Sequence, residues 1–331
     1  MEKIKIGDRG LEITRIVFGA WAIGGWMWGG TDVEDSLSAL KQAIDLGMTT
    51  IDTAPVYGFG LSESLVGKAI EGKRNSVQLL TKFGLKWDSD EGSFYFHSHD
   101  SEGREIAIHK FAGKQSILDE CDKSLSRLKT DYIDLYQIHW HDPKTPIDES
   151  MEALEILLQN GKIREAGVCN YNTEQMKEAV KNLNIASNQV PYSMVERGIE
   201  KELLPYCIEN KKAVLAYSPL QRGLLTGKID LDHRFKDDDH RGRNAFFKSQ
   251  NREKILNFLE LVKPIALSKN ISLAQLVIRW TMNRPGISSV LVGARNVLQV
   301  NENFQAYKTN ITQDETNFIQ KHLDELVLDL S

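Results

Sequence analysis

Three side chains near the start of the chain have the types and spacing needed to move a proton. Asp52, Tyr57 and Lys82 can form a chain in which a carboxylate holds an ammonium and the ammonium sits beside a phenol. A free phenol, with a pKa of about 10, holds its proton too tightly to work well near neutrality. A neighbouring ammonium favours phenolate, so Lys82 is expected to lower the pKa of Tyr57 and make it a usable proton donor and acceptor. His139 adds a second hydrogen-bonding group that can orient or polarise a carbonyl oxygen. No side chain in this set is a nucleophile with its own base, so the chemistry indicated is protonation of a developing alkoxide rather than acyl transfer.

These residues need elements that bring them together, and the chain supplies a regular series. Short apolar runs are expected as strands at Arg15–Gly19, Thr49–Asp52, Ser76–Lys82, Tyr132–His139, Glu165–Cys169, Ser187–Val190, Ala213–Ser218 and Ser288–Gly293. Most are continuously apolar, as parallel strands buried on both faces are. Amphipathic stretches lie between them. One begins at Val33 with Leu37, Leu40 and Ile44 inward and a stop at Gly47; Lys114–Lys129 and Glu149–Asn160 behave alike. Eight such alternations predict an α/β chain folded as one (β/α)₈, or TIM, barrel domain over residues 1–331, behind an N-terminal β-hairpin. A doubly wound sheet would carry GxGxxG after its first strand, and the segment from Gly19 to Gly25 does not fit it. Leu85–Gly113, polar with aromatics and three histidines, and the charge-rich Ile229–Gln250 are read as long loops over the C-terminal face.

The strand ends repeat one pattern. Asp52, Lys82, His139, Asn170, Gln189 and Ser218 close or follow six successive strands, and Arg295 follows the last. On a barrel all seven converge on the rim that carries active sites. Any one of them is a plausible strand-end cap; seven in phase are hard to reach by chance.

Composition narrows the partners. The chain has 331 residues, 41 Lys and Arg against 46 Asp and Glu, and a formal charge of -5. That balance argues against nucleic acid or an anionic membrane as the main partner. No run approaches the ~18 apolar residues of a membrane helix, and MEKIKIGDRG meets glycine and charge before a signal peptide's apolar stretch could form. Cys121, Cys169 and Cys207 are widely spaced and read as reduced buried thiols. The expected setting is cytoplasmic, where sequons at Asn270 and Asn310 carry no meaning.

Gly47-Met-Thr-Thr-Ile-Asp52-Thr-Ala-Pro-Val-Tyr57-Gly with Ser62-Glu63 and Gly67, Leu79-Leu-Thr-Lys82, and Asp134-Leu-Tyr-Gln-Ile-His139-Trp140 resemble the motifs of the aldo-keto reductase superfamily. The likeness runs from about residue 6 to 305 and is nearest to bacterial members of the general-stress and inositol-gene type, which share Trp21-Ala-Ile-Gly-Gly and Gly223-Leu-Leu-Thr-Gly227-Lys228. It implies reduction of an aldehyde or ketone, with Tyr57 as general acid, Asp52 and Lys82 tuning it and His139 positioning the carbonyl. Asn170 and Gln189 would hold the nicotinamide carboxamide, Tyr217 would stack on the ring, and Ser218, Pro219 and Leu220 would begin the pyrophosphate contacts. Gly19, Ala20, Trp21, Gly223, Leu225, Gly227, Lys228 and Gly293 complete the implied cofactor contacts, and Gln299, Glu302 and Asn303 flank the adenine. Arg295 stands where the family grips the 2′-phosphate, so NADP(H) is expected over NAD(H). Trp21, Trp87 and Trp140 are candidates for the substrate wall beside Tyr57 and His139. The substrate is a small carbonyl or alcohol; the acidic, histidine-bearing stretch hints at a sugar-derived one. The alternative is a nucleotide-binding sensor barrel like the β subunits of potassium channels. His139-Trp-His141 has a metal-site spacing, but later strands end in Asn, Gln and Ser, poor ligands for zinc.

Overall fold

The structure is a computed structural model that describes residues 1–235 and 239–330. The hairpin comes first, β1 (Lys3–Ile6) paired antiparallel with β2 (Leu11–Thr14). Eight parallel strands then close into a barrel: β3 (Ile16–Gly19), β4 (Thr50–Asp52), β5 (Gln78–Phe83), β9 (Ile133–Ile138), β10 (Ile163–Cys169), β11 (Ser187–Pro191), β12 (Ala213–Tyr217) and β13 (Ile287–Gly293), with β13 pairing back onto β3. Each sits within a residue or two of its expected run. Helices α1 (Val33–Asp45), α2 (Leu61–Ala69), α3 (Lys114–Leu128) and α4 (Ile147–Gln159) alternate with the first strands, and further helices continue the ring to α10 (Gln313–Asp324).

Two apolar layers hold the barrel. Between strands and helices, Ile117, Cys121 and Leu128 of α3 and Leu154 and Leu157 of α4 pack among Leu79, Ile133 and Ile163. Inside the barrel, Leu80, Leu135, Leu215 and Leu291 meet Ile6, Leu11 and Ile13, so the hairpin plugs the end opposite the strand C-termini. That leaves the C-terminal rim as the accessible mouth. The three cysteines are free and buried, and no single helix among the described residues is long and apolar enough to cross a membrane.

The stretch Leu85–Gly113 departs from the expected loop. It forms a three-stranded antiparallel sheet, β6 (Leu85–Lys86), β7 (Ser93–His99) and β8 (Glu105–Lys110), with β8 in the middle. The aromatic run Phe94-Tyr95-Phe96 suits a pleated strand, and Asp100 closes the turn by accepting the Glu102 and Arg104 N–H groups. His97 is turned to solvent: its side chain is 64% exposed and lies against Glu105. Of the charge-rich Ile229–Gln250 stretch, residues 236–238 lie outside the described residues; Phe246 and Phe247 are buried in the core rather than looped out.

Candidate active site

Asp52 ends β4 and Lys82 lies on the adjacent β5, so parallel pairing brings a carboxylate and an ammonium together inside the barrel wall. The Lys82 Nζ donates to Asp52 Oδ1 at 2.5 Å, to the Thr53 carbonyl at 2.9 Å and to the Tyr57 hydroxyl at 3.3 Å. An ammonium has three N–H groups, and all three are used. The Tyr57 oxygen therefore accepts from Lys82, which leaves its own O–H free to be donated into the cavity that Tyr57 lines. Tyr57 is carried there by the loop after β4, which touches the loop after β3 backbone to backbone. A Cβ on Gly58, whose φ is +67°, would lie 2.1 Å from the Gly24 carbonyl oxygen, so only glycine allows this approach.

The electrostatics correct one expectation. Lys82 does pull the Tyr57 phenol downward, but burial outweighs it, and the pKa is pushed up to about 12. The group is a firmly protonated donor. Burial opposes the charge on Lys82, yet Asp52 and Tyr57 outweigh it and hold its pKa above the usual lysine value, so it remains an ammonium. Burial, with the nearby Lys82 charge, pushes His139 well below its ordinary value, which makes it a neutral imidazole near pH 7. Its ring meets Tyr57 edge-on with centroids 5.7 Å apart. One protonated phenol and one neutral imidazole thus face the same space.

A cavity of about 640 Å³ opens above them. The strand-end residues Asp52, His139, Asn170, Gln189 and Ser218 all line it, as do Tyr57, Arg295 and, with its family-implied segments, Gly19, Trp21, Tyr217, Pro219, Leu220, Gly223, Lys228, Gly293, Gln299, Glu302 and Asn303. Asn170 and Ser218 hold left-handed φ values of +60° and +56° at the ends of β10 and β12. Such backbone is costly for non-glycine residues and gathers at functional sites. Asn170 is tied on both sides, donating to the His139 carbonyl and accepting from the Tyr217 hydroxyl. Gln189 donates from Nε2 to Asp52 Oδ2 at 2.8 Å, and no hydrogen bond from the described residues reaches its Oε1. That oxygen can take an N–H from a bound amide. Among the described residues, the Arg295 guanidinium donates only to the Trp28 carbonyl, and the Lys228 Nζ has only a long 3.9 Å contact to Glu302. Free donors and cations on one side of the cavity suit a dinucleotide, whose amide and phosphates need them.

Some expected members fall elsewhere. Lys82 stands behind Tyr57 rather than on the cavity wall. Ala20 is fully buried and donates its N–H to the Asp52 carbonyl, while Leu225 is core. Gly227 is a left-handed turn at the end of its 3₁₀ segment, and Trp87 packs against Phe59, 5.5 Å between ring centroids; the cavity wall reaches none of these four. Trp140 and Trp21 do line it, with Trp26, Trp28, Tyr95, Phe96, Arg222 and Arg241. Tyr95 and Phe96 were hidden in a segment read as a polar loop, although its three consecutive aromatics were a usable strand signal. Gln137 was also missed. It is fully buried on β9 and donates to Asp52 Oδ2 at 3.3 Å, and a glutamine inside an apolar strand is the signal that could have found it.

Comparison with known proteins returns one family. The family description "Aldo/keto reductase family" matches residues 15–324. The chain is 41% identical over 298 residues to aldo-keto reductase YhdN of Bacillus subtilis, covering 89% of this chain and 85% of that one. It is 33% identical to an NADH-specific methylglyoxal reductase of Escherichia coli, covering 98% and 99% of the two chains. The solved glycerol dehydrogenase AKR11B4 of Gluconobacter oxydans superposes with a TM-score of 0.88 at 38% identity, over 98% of this chain and 96% of that one. Relatives that are by name reductases and a dehydrogenase do not favour the sensor alternative.

Proposed function

The chain belongs to the aldo/keto reductase family, and on that premise we propose that it reduces the carbonyl of a small aldehyde or ketone to the alcohol with NADPH, Tyr57 acting as general acid. One observation carries the reading: the Tyr57 O–H, its oxygen held by Lys82 at 3.3 Å, faces the cavity beside a neutral His139. When bound, the nicotinamide supplies the hydride. Tyr57 donates the proton to the carbonyl oxygen as negative charge develops there. His139, uncharged, orients that oxygen by a hydrogen bond without competing for the proton. Asp52 keeps the Lys82 ammonium in place, and Lys82 stabilises the phenolate left behind.

The residues that would hold the cofactor are Gln189 at the carboxamide, Tyr217 at the ring, Ser218 with its strained turn at the pyrophosphate, and Arg295 with Lys228 at the phosphates. The guanidinium of Arg295, with no carboxylate partner among the described residues, supports the phosphorylated nucleotide. A cytoplasmic setting is part of the proposal, supported by three free, buried thiols.

The test follows absorbance loss of NADPH and NADH with 4-nitrobenzaldehyde. Tyr57→Phe should lose about 10²- to 10⁴-fold in kcat while still binding nucleotide. Arg295→Ala should raise KM for NADPH about tenfold more than for NADH. A Tyr57→Phe enzyme within a few-fold of wild type sinks the acid assignment. Faster turnover with NADH, unchanged by Arg295→Ala, sinks the NADPH assignment.

A further inference from the structure

Resting on that reductase reading, we infer that the protein selects uncharged carbonyl compounds whose carbonyl carries a flat apolar substituent, seated against the ring pairs Trp26–Phe96 and Tyr95–Trp140, and rejects anionic carbonyls. The argument begins with how the cavity divides around the barrel. Its cations, Arg222, Lys228, Arg241 and Arg295, all come from segments after β12 and β13. The arc from β3 through β4 and β5 to β9 presents mainly rings; Arg241 and Arg295 reach it at Trp28, one 5.6 Å from the ring centroid and the other at the carbonyl, and among the described residues its one charged wall residue, Asp52, is locked to Lys82.

Those rings form a built surface. Trp26 and Phe96 lie nearly parallel, 12° apart with centroids at 6.2 Å. Trp26 Nε1 is already spent on Ser98 Oγ at 2.9 Å, which ties the loop after β3 to the inserted sheet. Tyr95 and Trp140 meet at 5.4 Å. Lys110 braces both, its Nζ 4.1 Å from the Tyr95 ring centroid and 5.0 Å from that of Trp140, and it does not line the cavity. Its charge is engaged by ring faces rather than offered to a ligand.

A flat substituent gains ring contact here and leaves no polar group stranded. A carboxylate or phosphate would shed water and, among the described residues, find no unspent cation lining the cavity from the segments that carry these two ring pairs. Tyr57 and His139 are committed to the carbonyl oxygen, and beyond them the two ring pairs add only the Tyr95 hydroxyl and the Trp140 N–H among the described residues, so a chain of hydroxyls is met by few partners. The histidines that hinted at a sugar stand elsewhere: His97 is turned to solvent.

The probes are 4-formylbenzamide and 4-formylbenzoate, which share shape and differ in charge. For wild type, kcat/KM should favour the amide by roughly tenfold or more, and 4-formylbenzamide should also exceed glyceraldehyde. Phe96→Lys, which adds a cation to the wall, should bring the amide-to-benzoate ratio close to one. Phe96→Ala should lower kcat/KM for the amide mainly through KM, with circular dichroism confirming the fold. Equal use of amide and benzoate by wild type, or a ratio that Phe96→Lys leaves unmoved, overturns the inference while the reductase reading stands. Wild type that turns over none of the carbonyls overturns both.

Discussion

Removing the charge of Lys82 while keeping its length, as Lys82→Met does, separates what the buried pair does for folding from what it does for chemistry. Lys82 and Asp52 side chains are 1% and 3% exposed and 2.5 Å apart. At an effective dielectric of about 20 their attraction is about 7 kcal/mol. Against this stands the desolvation of two ions, several kcal/mol each, so the pair's net contribution to stability is near zero. The single variant is another matter. It leaves the Asp52 carboxylate buried with, among the described residues, only the Gln189 and Gln137 amides as partners, and it should cost about 3–5 kcal/mol in unfolding free energy. Asp52→Asn in the same chain removes the stranded charge, and the double variant should return to within about 1 kcal/mol of wild type. Activity should not return with it, because nothing then stabilises the Tyr57 phenolate. Urea denaturation followed by fluorescence, read beside kcat for carbonyl reduction, gives both quantities. A Lys82→Met protein within about 1 kcal/mol of wild type, or a double variant that regains turnover, would refute the account of a charged, mutually dependent pair.

Two further outcomes follow from other buried groups. Glu120, which accepts the Gly84 N–H at 3.1 Å, is pushed by burial from 4.5 up to about 7. A folded-state pKa above the unfolded one means that its stabilising share is complete below pH ~4.5 and is lost as pH rises through about 7. Glu120→Gln should therefore be more stable than wild type at pH 8 by up to about 3 kcal/mol, with the gap closing near pH 4; equal stability of the two proteins across that range in thermal melts would contradict the assignment. Gln137→Leu removes a donor to Asp52 Oδ2 and the 3.5 Å acceptor of Gln189 Nε2. The fold should survive, while nucleotide KM rises and kcat falls, together about tenfold in kcat/KM; unchanged kinetics would show that Gln137 positions nothing.

The alternation of buried strands and amphipathic helices determined the barrel, because continuous apolar runs such as Ala213–Tyr217 have few other ways to bury both faces. It also determined which polar residues gather at the mouth, since strand ends on a closed parallel barrel share one rim. Asp52 and His139 were legible for that reason, and Tyr57 and Lys82 from the proton chemistry their types allow beside them. Tertiary structure decided the rest. The direction of the Tyr57 shift depends on how much burial opposes Lys82, a balance that no spacing encodes. Gln137 reaches Asp52 only because β9 stands two strands from β4 in the closed barrel. Ala20, Leu225, Gly227 and Trp87 sat in the right segments, but turns of a few residues set whether a side chain meets the cavity or the core. The rings of the inserted sheet became a wall only when β6, β7 and β8 paired over the mouth. Local pattern specifies elements and their order, whereas burial, facing and field arise from contacts between residues far apart in the chain.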